Sequence, residues 1–536
     1  EGAWSVAEEP QLEGDFAADL NSFQELFGQG AAQKTQLSLD TWRLRLRVPL
    51  ERASGTWILD STTAAAWGVD QTKPLTVELH VPTSGYLEGK VPHAKVHAVW
   101  QEDFPNFALE KQLAQILADF SLFAMGRPLR PLRAEHPLPQ ARVPKEMWPS
   151  KCSKEDMMKE ARSDAACGFF AQLACYLQLR LPTLHEFCAI CDQAFLSPPM
   201  FMRAVCSMEL CVYQFSEFGS KITSAEGVNA SAEITDLLLC MFAHAAKSGR
   251  REVILDPYPT VYSSDRQGAP LFHPSQKDFG KLVKTVEALQ SLRQESGMSA
   301  GLGAAWSTLT CRMSQEGVGL LKWIVASNGS FLAPLQDDDR IDAFQTPFQY
   351  LLISQPSEKE RHFQELKLRH GSIFAYHGSS TENWHSILRN GLKNASNTQL
   401  MTSGASYGPG IYLSMQSEMS LQFSYKGSHA SGRQRPGAFS GPSAMPEAKH
   451  RRTGNRILEG SVMVMLAVCE VIDHPSLNRI HDIVVAPLEE TVCTRFFLVF
   501  TGQSAHSNVP LHGLRTEITA CMTKLGVGIP QNSRAA

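Results

Sequence analysis

Long apolar runs are missing from this chain. The longest, Val462–Cys469, has eight residues, against the ~18–20 needed to cross a bilayer, and reads as a buried strand. A charge excess is missing too. The net charge is -4 and the pI near 6.5, which gives no strong nucleic-acid signal. No basic-then-apolar leader opens the chain: Glu1 is followed by polar and acidic residues. The first residue is not methionine, which reads as a processed or truncated start. Cysteine is neither scarce nor dense, with 12 in the chain. Without a leader these read as reduced thiols of an intracellular protein, cytoplasmic rather than nuclear. No internal repeat is visible, and no Gly-x-Gly-x-x-Gly turn after a strand suggests a Rossmann dinucleotide site.

What is present fits an ordinary globular protein, 43% hydrophobic and 19% charged over 536 residues. That length implies two to four domains. Residues 1–36 are rich in Gly, Ala and Glu and read as a flexible arm. The alternating run Leu37–Val48, then Trp57–Leu59, Leu75–Val81 and Lys95–Trp100, read as strands. Leu109, Leu113, Ile116, Leu117 and Phe120 mark one face of a helix. A small α+β domain is therefore expected over 37–125, with an element order like that of a ubiquitin-conjugating or RWD-type fold. A Pro/Arg-rich linker occupies 126–150. A helical, cysteine-rich region follows over 151–277, then a helical subdomain over 278–340 carrying Leu282, Val286, Leu289, Leu320, Leu321 and Ile324 at helical spacing. A strand-rich domain spans 341–525, with a flexible Gly/Ser/Pro/Arg-rich insertion at 427–456 and a tail at 526–536.

Three motifs carry chemistry. The short apolar strand Ile373–Tyr376 ends in His377-Gly378-Ser379. Ser379-x-x-Glu382 matches a capping box, opening a helix that stops at Asn390-Gly391. His385 falls on that helix's outer, solvated face. Next comes Tyr407-Gly-Pro-Gly-Ile-Tyr412, whose paired glycines let backbone approach a ligand. Ser417–Tyr425 then has helical character. The third motif is the closing strand Thr491–Phe500.

In this order, His-Gly-Ser, Tyr-Gly-x-Gly-Ile-Tyr and a late aromatic strand resemble the catalytic domain of the poly(ADP-ribose) polymerase superfamily. The stretches Glu382–Leu392, Gly410–Ser414, Val492–Phe497 and Cys188–Asp192 resemble the subgroup of its sixth and eighth members. The resemblance covers most of the chain from about 60 to 525. It implies an α+β multidomain protein whose C-terminal part is two packed, mostly antiparallel sheets with flanking helices. It also implies NAD+ as substrate. His377 would bond the adenosine-ribose side, with Gly378 and Ser379 completing that step; the Gly378 backbone and Ser420 would meet the nicotinamide carboxamide. Tyr412 would pack on the nicotinamide-ribose end, and Phe423 or Tyr425, Tyr425 the first choice, would stack on the ring. Chain-forming members place Glu at the third catalytic position; here the count back from Phe500 puts Phe496 there. Transfer of single ADP-ribose units to protein acceptors, with automodification, is the activity implied. Deleting 427–456 is expected to change acceptor choice more than NAD+ affinity.

Cys188-x-x-Cys191 and Cys206-x4-Cys211 offer four thiolates in two close pairs, a set suited to a structural Zn2+. The alternative is four buried reduced cysteines. Two other functions compete with transfer: a degenerate transferase acting as a scaffold, and a ubiquitin-pathway adaptor built on the N-terminal domain.

Overall fold

In the computed structural model the described residues are 15–128, 153–195, 201–211, 232–263, 269–299, 309–425, 463–501 and 508–527, apart from short gaps within these ranges. They form two units, over 1–194 and 195–536. In the first unit, apolar-polar alternation sets the sheet. β1 (Ala32–Gln36), β2 (Thr41–Val48), β3 (Leu75–Pro82) and β4 (Lys95–Gln101) form an antiparallel meander in sequence order. Leu44, Leu46 and Val48 point inward while Arg45 is exposed. The strand expected from residue 37 begins instead at Thr41. Asp40 accepts hydrogen bonds from the Ser38 and Thr41 hydroxyls and closes a turn there, leaving Leu39 98% exposed. Trp57–Leu59 contributes only an isolated bridge, Trp57 to Glu51.

The arm expected over 1–36 is structured from Asp15 onward, as α1 (Asp15–Phe27) and β1. Its Phe16 is buried against Tyr86 and Phe170, with ring centroids 5.3 and 6.0 Å away. Those contacts are long-range, so composition alone does not reveal them. α2 (Ser61–Trp67) precedes β3, and α3 (Glu110–Ala124) lays Leu113, Ile116, Leu117 and Phe120 into the core beside β4. α4 (Lys154–Ser163) and α5 (Gly168–Arg180) complete the unit.

In the second unit, α6 (Ala232–Lys247), α7 (Phe279–Ser299) and α8 (Gln315–Ala326) pack through Leu237, Phe242, Leu282, Val286, Leu320 and Ile324. Ser314 caps α8 by accepting from the Gly317 N–H at 3.1 Å. The strands are β5 (Phe331–Pro334), β6 (Phe348–Ile353), β7 (Ser372–Gly378), β8 (Ile411–Ser414), β9 (Met463–Ile472), β10 (Asn478–Ile480), β11 (Ile483–Ala486) and β12 (Val492–Thr501). They run β10-β11-β8-β7-β9-β12-β6-β5, every pair antiparallel. The strands form one continuous hydrogen-bonded order. Its junction is thin, because β7 and β8 share only the pair Tyr376–Ser414. A section of five strands and a section of three meet at that point.

α9 (Ser357–His370), α10 (Thr381–Asn390), α11 (Ser417–Tyr425) and α12 (Arg515–Lys524) surround the sheet. One apolar cluster joins Trp384 and Leu388 of α10 to α6, α7 and α8; another joins Leu421 of α11 to Ile518 and Met522 of α12. Among the described residues, no helix is long and apolar enough to cross a membrane. The 427–456 insertion, the greater part of the 126–150 linker and nearly all of the tail lie outside them.

Candidate active site

β7 is held along its whole length by β9, from Ser372–Ile472 to Gly378–Leu466. That rigid pairing fixes His377 at the strand end, half-buried. Its Nδ1 lies 2.9 Å from the Tyr412 carbonyl oxygen, and its ring stands edge-on to Trp384 with centroids 6.0 Å apart. A carbonyl only accepts, so Nδ1 carries the proton and Nε2 is left as an acceptor. Burial lowers the His377 pKa below the ordinary value, and the Tyr412 carbonyl only partly opposes it. The ring is therefore neutral near pH 7, with Nε2 ready to accept from a hydroxyl.

Gly378 is required by contact. A Cβ there would lie 1.9 Å from the Ser420 carbonyl oxygen, where α11 crosses the end of β7. Ser420 donates to the Tyr376 carbonyl at 3.1 Å, and Ser424 to the Met465 carbonyl at 2.9 Å, so α11 is pinned to β7 and β9. Phe423 is half-buried one turn beyond Ser420; the side chain of Tyr425 lies outside the described residues.

Tyr412 sits in β8, opposite Val485 of β11. Its hydroxyl donates to the Gly408 carbonyl and accepts from the Tyr407 N–H, both at 2.9 Å. The two glycines serve different ends. Gly408 adopts a φ of +96°, which favours glycine. At Gly410 a Cβ would lie 2.6 Å from Val485 Cγ1 and 2.8 Å from the Ala486 carbonyl oxygen.

The helix after His-Gly-Ser begins at Thr381, and its N-cap is Ser380 without a side-chain cap bond. The expected capping box is absent because Ser379 is committed elsewhere. Its hydroxyl accepts from Asn383 Nδ2 at 3.0 Å and its carbonyl from Trp384 Nε1 at 3.1 Å. The stop is as expected, with Gly391 at φ +81° and its N–H on the Ile387 carbonyl. His385 is buried, not solvated. α6 and α8 cover this side of α10, placing Phe242 and Trp323 rings 5.1 and 6.1 Å away.

Phe496 is fully buried in β12 among Phe374, Tyr376, Leu466 and Val468. It pairs with Val468, whereas Cys469 pairs with Thr494, so Arg495 is an extra bulged residue. Register also separates the faces: Ala467 lies between His377 and Phe497, while Val468 lies between Tyr376 and Phe496. The structure thus gathers His377, Gly378, Ser379, Tyr412 and Ser420, and turns Phe496 to the Tyr376 face. Glu489, near the third motif, accepts from the Asn394 N–H at 2.9 Å in the turn before β12.

Sequence reading missed the charges beside this strand. Buried Arg495 donates to Glu470 at 2.8 and 2.9 Å and to Glu360 at 2.8 and 2.9 Å. Lys367 and the Ser372 hydroxyl also reach Glu470, at 2.7 and 2.8 Å. Burial opposes ionisation of both carboxyls, yet the Arg495 charge outweighs it and holds both below the usual range. The signal was available: one Arg and one Glu, each inside an apolar strand.

Cys188 and Cys191 occupy a tight turn in which the Asp192 N–H donates to the Cys188 carbonyl at 3.0 Å and the Cys188 N–H to the Gln193 carbonyl at 2.9 Å. Cys188 and Cys211 are buried and Cys191 and Cys206 half-buried. Four thiolates in two close pairs along the chain could hold a four-coordinate structural Zn2+ with no open position.

Three family models match parts of the chain: the PARP6/PARP8 N-terminal domain over 15–125, the ARTD15 N-terminal domain over 229–325 and the poly(ADP-ribose) polymerase catalytic domain over 348–436. Mouse and human protein mono-ADP-ribosyltransferase PARP8 are each 35% identical over 352 residues, 64% of this chain and 40% of theirs. Mouse protein mono-ADP-ribosyltransferase PARP16 is 27% identical over 267 residues, 49% of this chain and 69% of its own. The chain therefore spans well under half the length of the PARP8 relatives it matches.

Proposed function

We propose that this chain, which belongs to the mono-ADP-ribosyltransferase branch of the poly(ADP-ribose) polymerase superfamily near PARP6 and PARP8, transfers single ADP-ribose units from NAD+ to protein side chains and releases nicotinamide. The carrying observation is the neutral His377, its Nε2 an acceptor, next to a Gly378 pressed against Ser420. His377 Nε2 accepts from an adenosine-ribose hydroxyl. The Gly378 backbone and Ser420 hold the carboxamide, and Tyr412 flanks the nicotinamide-ribose end. Phe423 is the stacking aromatic in this reading. It follows Ser420 by three residues and shares its helical face, whereas five residues rotate Tyr425 by about 140°.

The chemistry asks little of side chains. The bond from ribose C1′ to the nicotinamide nitrogen breaks, its electron pair neutralises the departing ring, and positive charge builds on the ribose. An acceptor nucleophile then bonds to C1′ and loses its proton. Positioning supplies most of the acceleration. Chain growth would need a group to activate a ribose hydroxyl, and Phe496 has no polar atom. Single-unit transfer follows, with automodification included. Residues 341–525 act as the catalytic domain, and the protein works in the cytoplasm rather than the nucleus.

The test is incorporation of labelled NAD+ on a gel beside His377→Ala and Tyr412→Ala. A discrete band lost in both variants is expected. A high ladder would overturn single-unit transfer. No label, even with cell extract as acceptor, would point to a scaffold.

A further inference from the structure

Among the described residues, Trp384 is the largest side chain that is fully buried. It stands in the first turn of α10, the helix that follows His377-Gly378-Ser379. Strand register explains the space it fills. β7, β9 and β12 set His377, Ala467 and Phe497 in one lateral row. Lateral partners in antiparallel strands point to the same face, and adjacent strands lie about 4.8 Å apart. His377 and Phe497 therefore stand about 10 Å apart at the backbone, with the small Ala467 side chain between them. The indole bridges that gap. Its ring centroid lies 6.0 Å from the His377 ring at an interplanar angle of 79°. It lies 4.9 Å from the Phe497 ring at 65°. Both are edge-to-face arrangements, which aromatic pairs favour.

The polar end of the same side chain meets the turn. The ladder between β7 and β9 ends at the pair Gly378–Leu466, so Ser379 lies one residue past it. There the indole Nε1–H donates to the Ser379 carbonyl at 3.1 Å. One residue thus touches the His-Gly-Ser step at both ends, His377 by its ring and Ser379 by its N–H. The imidazole has a second restraint, because its Nδ1 donates to the Tyr412 carbonyl at 2.9 Å.

We propose that Trp384 is a positioning residue for NAD+, holding the His377 imidazole so that Nε2 meets the adenosine-ribose hydroxyl and holding the Ser379 backbone so that Gly378 keeps its place against Ser420. The inference rests on the donor-site reading above. Trp384 acts through His377 and Ser379, not by touching the dinucleotide. The bond to Tyr412 sets the tautomer of the imidazole, and the indole stops the ring from turning away. Ala467 belongs to the same device, since a larger side chain in the middle of the row would displace the indole.

The experiment follows the His377 ring by NMR in the full chain labelled at its histidine nitrogens, with NAD+ kinetics and thermal melting in parallel. The His377 signals are those lost in His377→Gln. In the unmodified chain they show a single tautomer protonated at Nδ1. Trp384→Phe keeps a ring edge and removes the N–H. It should retain the tautomer and raise KM for NAD+ roughly three- to tenfold, the worth of one hydrogen bond, with little change in kcat. Ala467→Leu keeps Trp384 and takes away its place. The His377 signals should then average over both tautomers, and KM should rise further than in Trp384→Phe. A lower Tm in both variants, with KM and the His377 tautomer unchanged, makes Trp384 a core filler and overturns the inference. Should Ala467→Leu fail to fold, Trp384→Phe decides alone, and an unchanged KM overturns it. If His377→Gln leaves KM unchanged, or the unmodified chain turns over no NAD+, the donor-site reading itself fails, and this inference with it.

Discussion

His377 shows how one side chain is set by its surroundings. Because burial depresses its pKa, the ring stays neutral below the usual histidine range. Protonation would place a hydrogen on Nε2 and remove the acceptor. KM for NAD+ should therefore stay flat from pH 8 down through about 6.5, the unperturbed value, and rise only at lower pH; kinetics across that range check it. Gly378 is a second residue-scale case. Gly378→Ala would force a Cβ to within 1.9 Å of the Ser420 carbonyl, at a cost of about 1–3 kcal/mol by overpacking. Nicotinamide binding, read by calorimetry, should be lost while the circular dichroism spectrum is retained. His385 is a third. Its Nε2 is buried without a hydrogen-bond partner, and burial pushes its pKa well below the usual range. The folded state favours the neutral ring, while the unfolded chain takes up a proton below about pH 6.5. Stability is thus full above that pH and declines as pH falls toward the folded value. His385→Leu should flatten the decline in a series of melts between pH 7 and 5.

At the scale of elements, the bulge in β12 decides most. Arg495 is the inserted residue, and it turns inward to bind Glu470 and Glu360. Removing it takes the guanidinium from half-buried Glu360 and leaves buried Glu470 with Lys367 alone as counter-charge. Arg495→Ala should cost about 3–5 kcal/mol, the range for breaking a buried ion pair, in urea unfolding. The same pair sets an acid window. Both carboxyls are held below the ordinary value of 4.5, so their contribution is present above that pH and lost as pH falls through their folded values. α10 carries a different lesson. Its stop at Gly391 was legible in the sequence because a C-terminal glycine acts locally. Its capping box was not, because Asn383 and Trp384 compete for Ser379.

For the whole molecule, the cysteine cluster is the feature most open to measurement. Four cysteines in two close pairs along the chain predict one zinc per chain by elemental analysis. Cys188→Ser should lower both metal content and Tm, since binding energy at a structural site is also folding energy. Full stability without any metal would leave four reduced thiols instead.

The sequence by itself determined the strand ends that carry His377 and Tyr412, the glycines between them and the absence of an acid at Phe496, because spacing and turn chemistry are local. It also determined three strands of the first unit's meander, β2, β3 and β4, and the apolar face of α3, through alternation and helical period. Only the tertiary structure decided that 15–36 is ordered, that His385 is buried, and that Phe496 faces Tyr376 instead of His377. It alone brought Trp384 to Phe497 and Arg495 to Glu470. Each of these depends on residues far apart in the chain, and contacts of that kind leave no period in the sequence to read.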